Sequence, residues 1–375
     1  MKIAHPSPDP ASEASQSRGQ GRRRASVLFI GTHPRHDIGT RSVAEGLAEK
    51  LEGNGFNSIV TSRARFRVVR VAEMLVTAWL QRGAYDLAHV DVYSGAAFRW
   101  AEWVTVLLRT MKKPVIMTLH GGNLAAFARA HPRRVARLLS MADAVTTPSR
   151  YLADAVHEIR DDIEVIPNPI ETGAYTYAER SHPAPRLVWL RSFHRIYDPV
   201  LAIRVLARLA ADRSDARLTM IGPDKDGSLA GARAEAVSLG VSQRVTFVGG
   251  VPKSDVPRLL AECDIFLNTS TIDNTPVSVI EAMATGLLVV STSVGGVPYL
   301  IDSGHDGILV RPGDADAMAG AVRRYLEQPS FAARVSRNAR AKAEKFSWNE
   351  VLPRWERLLT RIASTNDLRD AHQAS

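Results

Sequence analysis

The sequence predicts an α/β protein with two doubly wound halves, each a parallel sheet with helices on both faces. Three observations support this prediction. Short apolar runs of strand length alternate with stretches of helical periodicity along most of the chain. A proline-rich polar segment interrupts the alternation near the middle, and 375 residues suffice for two domains. Because ligands of such sheets bind beyond the carboxyl ends of the strands, we expect the two halves to face each other across a cleft.

The first half is predicted to span residues 25–170, after a disordered tail of residues 1–24. The tail is rich in Pro, Ser, Ala and Gly and lacks the apolar core of a signal peptide. The first strand is the apolar run 27–30, and a helix follows that ends at Gly53. Further strands are expected at 58–61, 87–92, 115–119, 144–147 and 163–166, with helices around 71–82, 97–111, 132–140 and 150–160.

The segment 171–186 is predicted to be a linker, since prolines and polar residues break the alternation there. The second half then spans 187–345. Residues 346–366 are expected to form a C-terminal helix that packs back towards the first half, followed by a tail, 367–375. The strands of the second half are expected at 187–190, 218–221, 245–248, 265–268, 288–291 and 308–310.

Composition limits the class of protein and of partner. Hydrophobic residues make up 45% and charged residues 23%, which is typical of a globular chain and excludes a disordered or collagen-like one. The single cysteine, Cys263, excludes a disulfide framework, and we expect a cytoplasmic location. A net charge of +9 favours anionic partners. Because aromatic residues make up only 6% and do not interleave with basic ones, nucleic acid is not an expected partner.

The segment 268–296 carries the most specific chemistry. It leaves a predicted strand, passes through a polar loop containing Asp273, and continues as a helix from Pro276 that Gly286 ends. Such a helix points unpaired amides and a positive dipole end towards the strand ends, which suits a phosphate. The carboxylates of Asp273 and Glu281 suit sugar hydroxyls. On the residues alone, a solvated loop aspartate and a glutamate that stabilises the helix dipole remain the alternative.

This segment resembles the retaining nucleotide-sugar glycosyltransferases of the GT-B fold (group 1, family 4 type), in which two Rossmann-like domains enclose a cleft. That family has a Glu, seven residues, Glu-Ala-Met-Ala-x-Gly, an apolar strand and a Gly-Gly pair. This chain has Asp273, then Glu281-Ala282-Met283-Ala284-Thr285-Gly286, then Gly295-Gly296. The resemblance implies that Glu281 holds the donor ribose and that Asp273, one methylene shorter than the family's Glu, contacts the donor sugar. The same likeness places the diphosphate and donor contacts at Asn274, Val277, Ser278 and Val279.

The resemblance extends through most of the chain. His120, with Gly121 after it, matches the family's His-Gly element near the reacting sugar, and Gly39 lies in a glycine-containing loop expected to meet phosphate or acceptor. Arg191 matches the family's diphosphate-binding arginine. On the residues alone, a structural histidine at position 120 and a surface ion pair of Arg191 remain the alternatives. The loop expected to pack on the nucleotide base contains Gly249 and Val251.

Two departures from the family pattern concern charge. The lysine that follows the arginine by five residues is replaced by Ile196, which leaves Arg195 or Lys225 to supply the second cation. No metal-binding motif is present in the sequence, so we expect no cofactor, with a nucleotide diphosphate sugar as co-substrate. The negative charge of that donor would then be neutralised by Arg191, nearby basic groups and the helix dipole.

The predicted function is retaining transfer of a sugar from a nucleotide diphosphate sugar to a hydroxyl of a sugar, a lipid-linked or a small-molecule acceptor. An epimerase or a phosphorylase on the same fold is one alternative. A catalytically weakened nucleotide-sugar-binding protein is another, motivated by Ile196 and Asp273. A third possibility is contact with an anionic membrane. Arginines at 63, 65, 67 and 70 precede an apolar pattern over 71–80 that is typical of a membrane-surface helix, although also of a core-packed helix beside a solvated loop.

Overall fold

The computed structural model describes residues 24–31, 43–61 and 66–374. Two six-stranded parallel sheets with flanking helices confirm the predicted fold class. In the first sheet the strand order is β2-β1-β3-β4-β5-β6, so the order reverses between β1 and β3. Its strands are β1 (Ser26–Ile30), β2 (Asn57–Val60), β3 (Leu87–Val92), β4 (Val115–Leu119), β5 (Ala144–Thr147) and β6 (Glu164–Val165).

The second sheet repeats this arrangement. Its order is β12-β11-β10-β7-β8-β9, which places the reversal between β7 and β10. The carboxyl ends of those two central strands therefore flank a crevice, where α/β sheets bind their ligands. The strands are β7 (Arg186–Leu190), β8 (Arg217–Ile221), β9 (Val245–Gly249), β10 (Ile265–Asn268), β11 (Leu288–Thr292) and β12 (Ile308–Val310).

Helices connect most of the successive strands, as parallel pairing requires. In the first half they are α1 (Val43–Gly53), α2 (Arg67–Leu80), α3 (Ala96–Thr110), α4 (Leu124–Ala130), α5 (Pro132–Leu139) and α6 (Arg150–Val156). In the second half they are α7 (Pro199–Ala210), α8 (Ser228–Ser238), α9 (Val256–Ala261), α10 (Val277–Thr285), α11 (Val297–Leu300), α12 (Ala315–Glu327), α13 (Pro329–Glu344) and α14 (Trp348–Ala374). None of the described helices combines the length and the apolar character needed to cross a membrane.

The segment between the two sheets packs along the second half. Tyr175 is buried in the core that also contains Val188 of β7 and Ile280 of α10. Arg180 is buried too, and its guanidinium lies 2.9 Å from the Asp264 carboxylate, which precedes β10. These contacts tie the proline-rich segment to the second sheet, because a buried arginine requires a partner of opposite charge.

The last helix returns to the first half. Val351, Trp355 and Leu359 of α14 are buried in one cluster with Val27 and Phe29 of β1. Close to the start of α14, Ile170 and Ser347 form a parallel bridge, so the two passages of the chain between the halves run side by side. The first sheet is thereby covered by α1 and α14 on one face and by α2 to α6 on the other.

Candidate active site

Arg191 and Asp273 meet at the crevice of the second sheet. Arg191 directly follows β7, and Asp273 lies in the loop between β10 and α10. The two side chains form an ion pair, and the Arg191 guanidinium lies 4.5 Å from the centre of the Tyr197 ring. Burial lowers the pKa of Arg191, but a guanidinium stays cationic at neutral pH. The site therefore contains a desolvated guanidinium whose orientation is fixed by the Asp273 carboxylate and the Tyr197 ring.

The loop that carries Asp273 is held in place by short contacts. Ser270 Oγ donates to Asp273 Oδ2 at 3.0 Å, and the Asn274 amide donates to Asp273 Oδ1 at 2.9 Å. The Gly295-Gly296 pair packs against this loop from the next connection. A Cβ at Gly295 would lie 2.1 Å from the Asp273 carbonyl oxygen, and one at Gly296 would lie 2.2 Å from that of Asn274. The close approach explains why glycines occupy both positions.

The N-terminus of α10 offers unpaired donors beside this ion pair. The helix begins at Val277, four residues after Asp273, and no side chain in the described part of the chain caps it. Among the described residues, the buried Ser278 Oγ and the buried Arg191 Nε have no hydrogen-bond partner. A buried donor without a partner is energetically unfavourable, so donors gathered at a helix N-terminus mark a place for an anion.

Glu281 lies one turn into α10, with 2% of its surface exposed, and forms an ion pair with Lys253. Lys253 belongs to a short 3₁₀ turn, Lys253–Asp255, that follows β9. Both side chains line a cavity of about 1250 Å³ between the two halves, together with Lys50 and Trp348 from the opposite side. Glu281 is thus held by a lysine at the wall of the cleft.

His120 approaches the same crevice from the first half, immediately after β4. Its Nε2 lies 3.0 Å from Asp91 Oδ1, and its ring stacks on Tyr93 at 5.1 Å between centroids. An ionised carboxylate can only accept, so Nε2 carries the proton in this contact. Burial and the Asp91 carboxylate raise the pKa of Tyr93, which keeps the phenol neutral. The histidine is therefore fixed in orientation from two sides.

The two halves touch where these loops meet. A Cβ at Gly122 would lie 2.8 Å from Ile272 Cγ2 and 3.0 Å from the Asp273 carbonyl carbon, so the loop after His120 rests on the loop of Asp273. Nearby, Ser149 at the start of α6 forms a hydrogen bond with the Asn274 side chain. His120, Arg191, Asp273 and the start of α10 are thus assembled around one place.

Other predicted residues lie at the margin of this group. Gly121 has φ +85° beside His120, Gly249 ends β9 with φ +82°, and Val251 packs on the core of the second half. Arg195 and Lys225 are exposed on adjoining loops. Their backbone amides are fixed by Asp226 Oδ2 at 3.0 Å and by the Phe193 carbonyl at 2.9 Å. Of the phosphate contacts expected on α10, Val277 is half-buried and Val279 is buried, while Gly39 lies outside the described residues.

The sequence analysis did not single out Asp91, Tyr93, Ser149 or Lys253. Asp91 had a detectable signal, because a carboxylate near the end of an otherwise apolar strand seldom serves packing alone. Ser149 and Lys253 had none, since their partners lie 125 and 28 residues away. Within the ranges that the structure describes, no three His, Cys, Asp or Glu side chains form a group able to hold a metal ion.

Two family models match the chain. Residues 183–342 match the model of the glycosyl transferases group 1, and residues 18–174 match that of glycosyltransferase family 4. Among curated proteins, a D-inositol 3-phosphate glycosyltransferase of Acidothermus cellulolyticus is 26% identical over 311 residues, covering 75% of this chain and 68% of that protein. An N-acetyl-alpha-D-glucosaminyl L-malate synthase of Bacillus anthracis is 24% identical, covering 64% and 66%. The chain thus spans about two thirds of the length of these relatives.

Solved structures share the fold. Anabaena HepE in complex with UDP and glucose superposes with a TM-score of 0.72 at 18% identity, covering 90% of this chain and all of that one. Sucrose-phosphate synthase from Thermosynechococcus elongatus gives a TM-score of 0.75 at 18% identity, covering 94% of this chain and 100% of that one. Both likenesses concern the two-sheet architecture.

Proposed function

Since the chain belongs to the group 1 glycosyltransferases of the GT-B fold, we propose that it transfers a sugar from a nucleotide diphosphate sugar to an acceptor hydroxyl, with retention at the anomeric carbon and without a metal ion. One observation carries the proposal: among the described residues, Arg191 Nε and the Oγ of Ser278, in the first turn of α10, are buried without a hydrogen-bond partner. A diphosphate supplies the acceptor oxygens that these groups lack. The family membership and the UDP present in the HepE structures support a nucleotide donor.

In this proposal the nucleotide sugar replaces contacts that the charged side chains now make with each other. Its diphosphate binds Arg191 and the α10 amides, while its sugar hydroxyls bind the Asp273 carboxylate that Arg191 now holds. Likewise, the ribose hydroxyls bind the Glu281 carboxylate, which now forms an ion pair with Lys253. Each carboxylate keeps a hydrogen-bonding partner throughout, so the donor replaces ion pairs instead of leaving buried charges unpaired.

Catalysis follows from charge that develops on the leaving group. As the bond between the anomeric carbon and the diphosphate oxygen breaks and the acceptor oxygen bonds to that carbon, negative charge grows on the diphosphate, which takes up the proton that the acceptor hydroxyl loses. Arg191 and the helix dipole, already oriented, stabilise that charge more in the transition state than in the ground state. His120, fixed by Asp91 and Tyr93, orients the reacting sugar from the other side of the cleft. Enclosure between the halves excludes water and so limits hydrolysis of the donor.

The test begins by identifying the nucleotide from the shift in melting temperature with UDP, GDP and ADP and their sugars. With the best donor, Arg191→Ala is expected to lower kcat about 100-fold. Arg204→Ala is the matched control, because Arg204 is a more exposed arginine of the same half, paired with Glu235 on the surface. Full transfer activity in the Arg191 variant would contradict the phosphate role.

The same assay distinguishes the alternatives. Proton NMR of the product reports whether the anomeric configuration is retained, and activity in EDTA tests independence from metal. An epimerised donor after incubation without acceptor would point to the epimerase alternative. Nucleotide binding without turnover over a panel of donors and acceptors would instead support the weakened binding protein.

A further inference from the structure

Exposed apolar side chains are concentrated on two neighbouring helices of the first half. Of the twelve large apolar side chains that are exposed in the described part of the chain, seven lie on α2 and α3. The two helices pack against each other on the same side of the sheet. We call their outer surface the α2–α3 face; it carries Val68, Val69, Val76, Trp79, Leu80, Trp103 and Val106.

The outer side of an ordinary amphipathic helix is polar, whereas the α2–α3 face is apolar. The inward side of α2 already packs on the sheet through Met74 and Ala78, and that of α3 through Phe98, Ala101 and Val104. The apolar residues opposite them are therefore surplus to folding. Trp79 and Trp103 are 50% and 55% exposed. A concentration of exposed apolar side chains on two packed helices marks a place of interaction.

Basic residues outnumber acidic ones in the two helices and their flanks, although two of them have partners outside the face: Arg109 binds Asp143 at 2.9 Å, and Lys113 Nζ donates to the Tyr85 carbonyl at 2.7 Å. Segments 66–82 and 96–113, which contain the two helices, hold seven Lys and Arg and two acidic residues. One of the two, Glu102, is already bound by Arg134 through hydrogen bonds of 2.7 and 2.6 Å. Glu73 is the other. Arg82 lies over the Trp79 ring at 4.6 Å, so a cation and an indole form one unit at the end of α2. Indoles amid basic residues favour the interface of an anionic bilayer.

We propose that the α2–α3 face docks on an anionic lipid surface. The position of the face suits this role, because α3 starts three residues after Tyr93, which stacks on His120. One end of the face, at the start of α3, therefore adjoins the cleft, whereas Trp79 and Arg82 lie at the other end, close to the start of β3. Docking would lay this side of the first half on the bilayer, with the cleft beside the membrane surface and open to an acceptor with a lipid anchor. The docking itself requires no donor, so it can fail or succeed independently of the proposed transferase activity.

The test is co-sedimentation of the full chain with vesicles of phosphatidylglycerol and phosphatidylcholine, and with vesicles of phosphatidylcholine alone. We expect binding to the anionic vesicles only, weakened by added salt. Trp103→Glu is expected to weaken binding about tenfold, because it removes an indole and adds a repelled charge. Val237→Glu is the matched control, since Val237 is 70% exposed on α8 of the other half.

Three outcomes would overturn the proposal. The first is that no binding to anionic vesicles occurs. The second is that Trp103→Glu and Val237→Glu bind equally well. The third is a dimer of the wild-type chain, seen by light scattering, that Trp103→Glu dissociates, which would assign the face to a second copy of the chain. Circular dichroism and melting temperature of both variants show whether they are folded.

Discussion

The charged residues of the proposed donor site are arranged in two reciprocal pairs, Arg191 with Asp273 and Lys253 with Glu281. The sequence motif predicted both carboxylates but not the lysine that holds one of them. A lysine in a polar turn reads as a solvated side chain, and only the packing of the turn after β9 onto α10 brings it to Glu281. Contacts between such distant segments depend on tertiary structure, which local patterns do not encode.

Glu281→Gln is expected to weaken binding of the preferred nucleoside diphosphate about tenfold, because a neutral amide accepts weaker hydrogen bonds from the ribose hydroxyls. Isothermal titration calorimetry measures the loss. The decisive ligand is the 2′,3′-dideoxy analogue, which has no ribose hydroxyls to offer. It should bind the wild type and the variant with equal dissociation constants. If the variant binds it more weakly, Glu281 contacts another part of the donor. Glu262→Gln, at an exposed position after α9, is the control.

Asp91→Asn is expected to lower kcat about 10- to 100-fold while the dissociation constant of the nucleoside diphosphate stays unchanged. The amide no longer fixes the proton on His120 Nε2, so the ring loses its orientation towards the sugar. Steady-state kinetics and calorimetry separate the two effects. Asp86→Asn is the matched control, because Asp86 lies at the opposite end of β3, away from the cleft. Equal losses of kcat in both variants would mean that Asp91 serves the sheet instead.

At the level of elements, the strands were predicted within one or two residues, because buried parallel strands are nearly continuous apolar runs. The predicted run 265–268, for example, is β10 itself. The helices were harder. α4 (Leu124–Ala130) was not predicted, since it has seven residues and follows two glycines. The packing of Arg180 in the proline-rich segment was also missed, because an arginine among prolines and polar residues reads as solvated.

The C-terminal helix is an element of the first half in its packing, although it ends the chain. Trp355 is buried against β1 and lies edge-on to His89 of β3 at 5.3 Å. Trp355→Ala is therefore expected to lower the free energy of unfolding by about 3–5 kcal/mol, through lost burial and a cavity. Trp103→Ala removes the same side chain from an exposed site and should change it by less than about 0.5 kcal/mol. Urea denaturation measures both free energies of unfolding. A decrease for Trp355→Ala as small as that for Trp103→Ala would show that Trp355 does not anchor α14 to β1.

The whole molecule depends on how the two halves meet, which the sequence predicted only in outline. A general rule placed the ligand at the carboxyl ends of both sheets. The relative position of the halves rests on contacts such as Ser149 with Asn274 and on the paired passages at Ile170 and Ser347. Neither contact has a local signature, because each joins segments more than a hundred residues apart.

Gly122→Ala tests whether the close approach of the halves serves catalysis. Gly122 needs no positive φ, so alanine fits its own loop, but the new methyl group would lie within 3.1 Å of Ile272 and Asp273 across the cleft. The expected result is a fall of about 10- to 100-fold in kcat, since a displacement near 1 Å misaligns the reacting groups. Nucleoside diphosphate affinity should stay unchanged, because Arg191 and α10 belong to one half. Gly83→Ala, where a methyl group meets no atom of the described residues within 4 Å, is the control. Wild-type turnover in the Gly122 variant would mean that catalysis does not need this contact between the halves. His120 would then act with the halves farther apart.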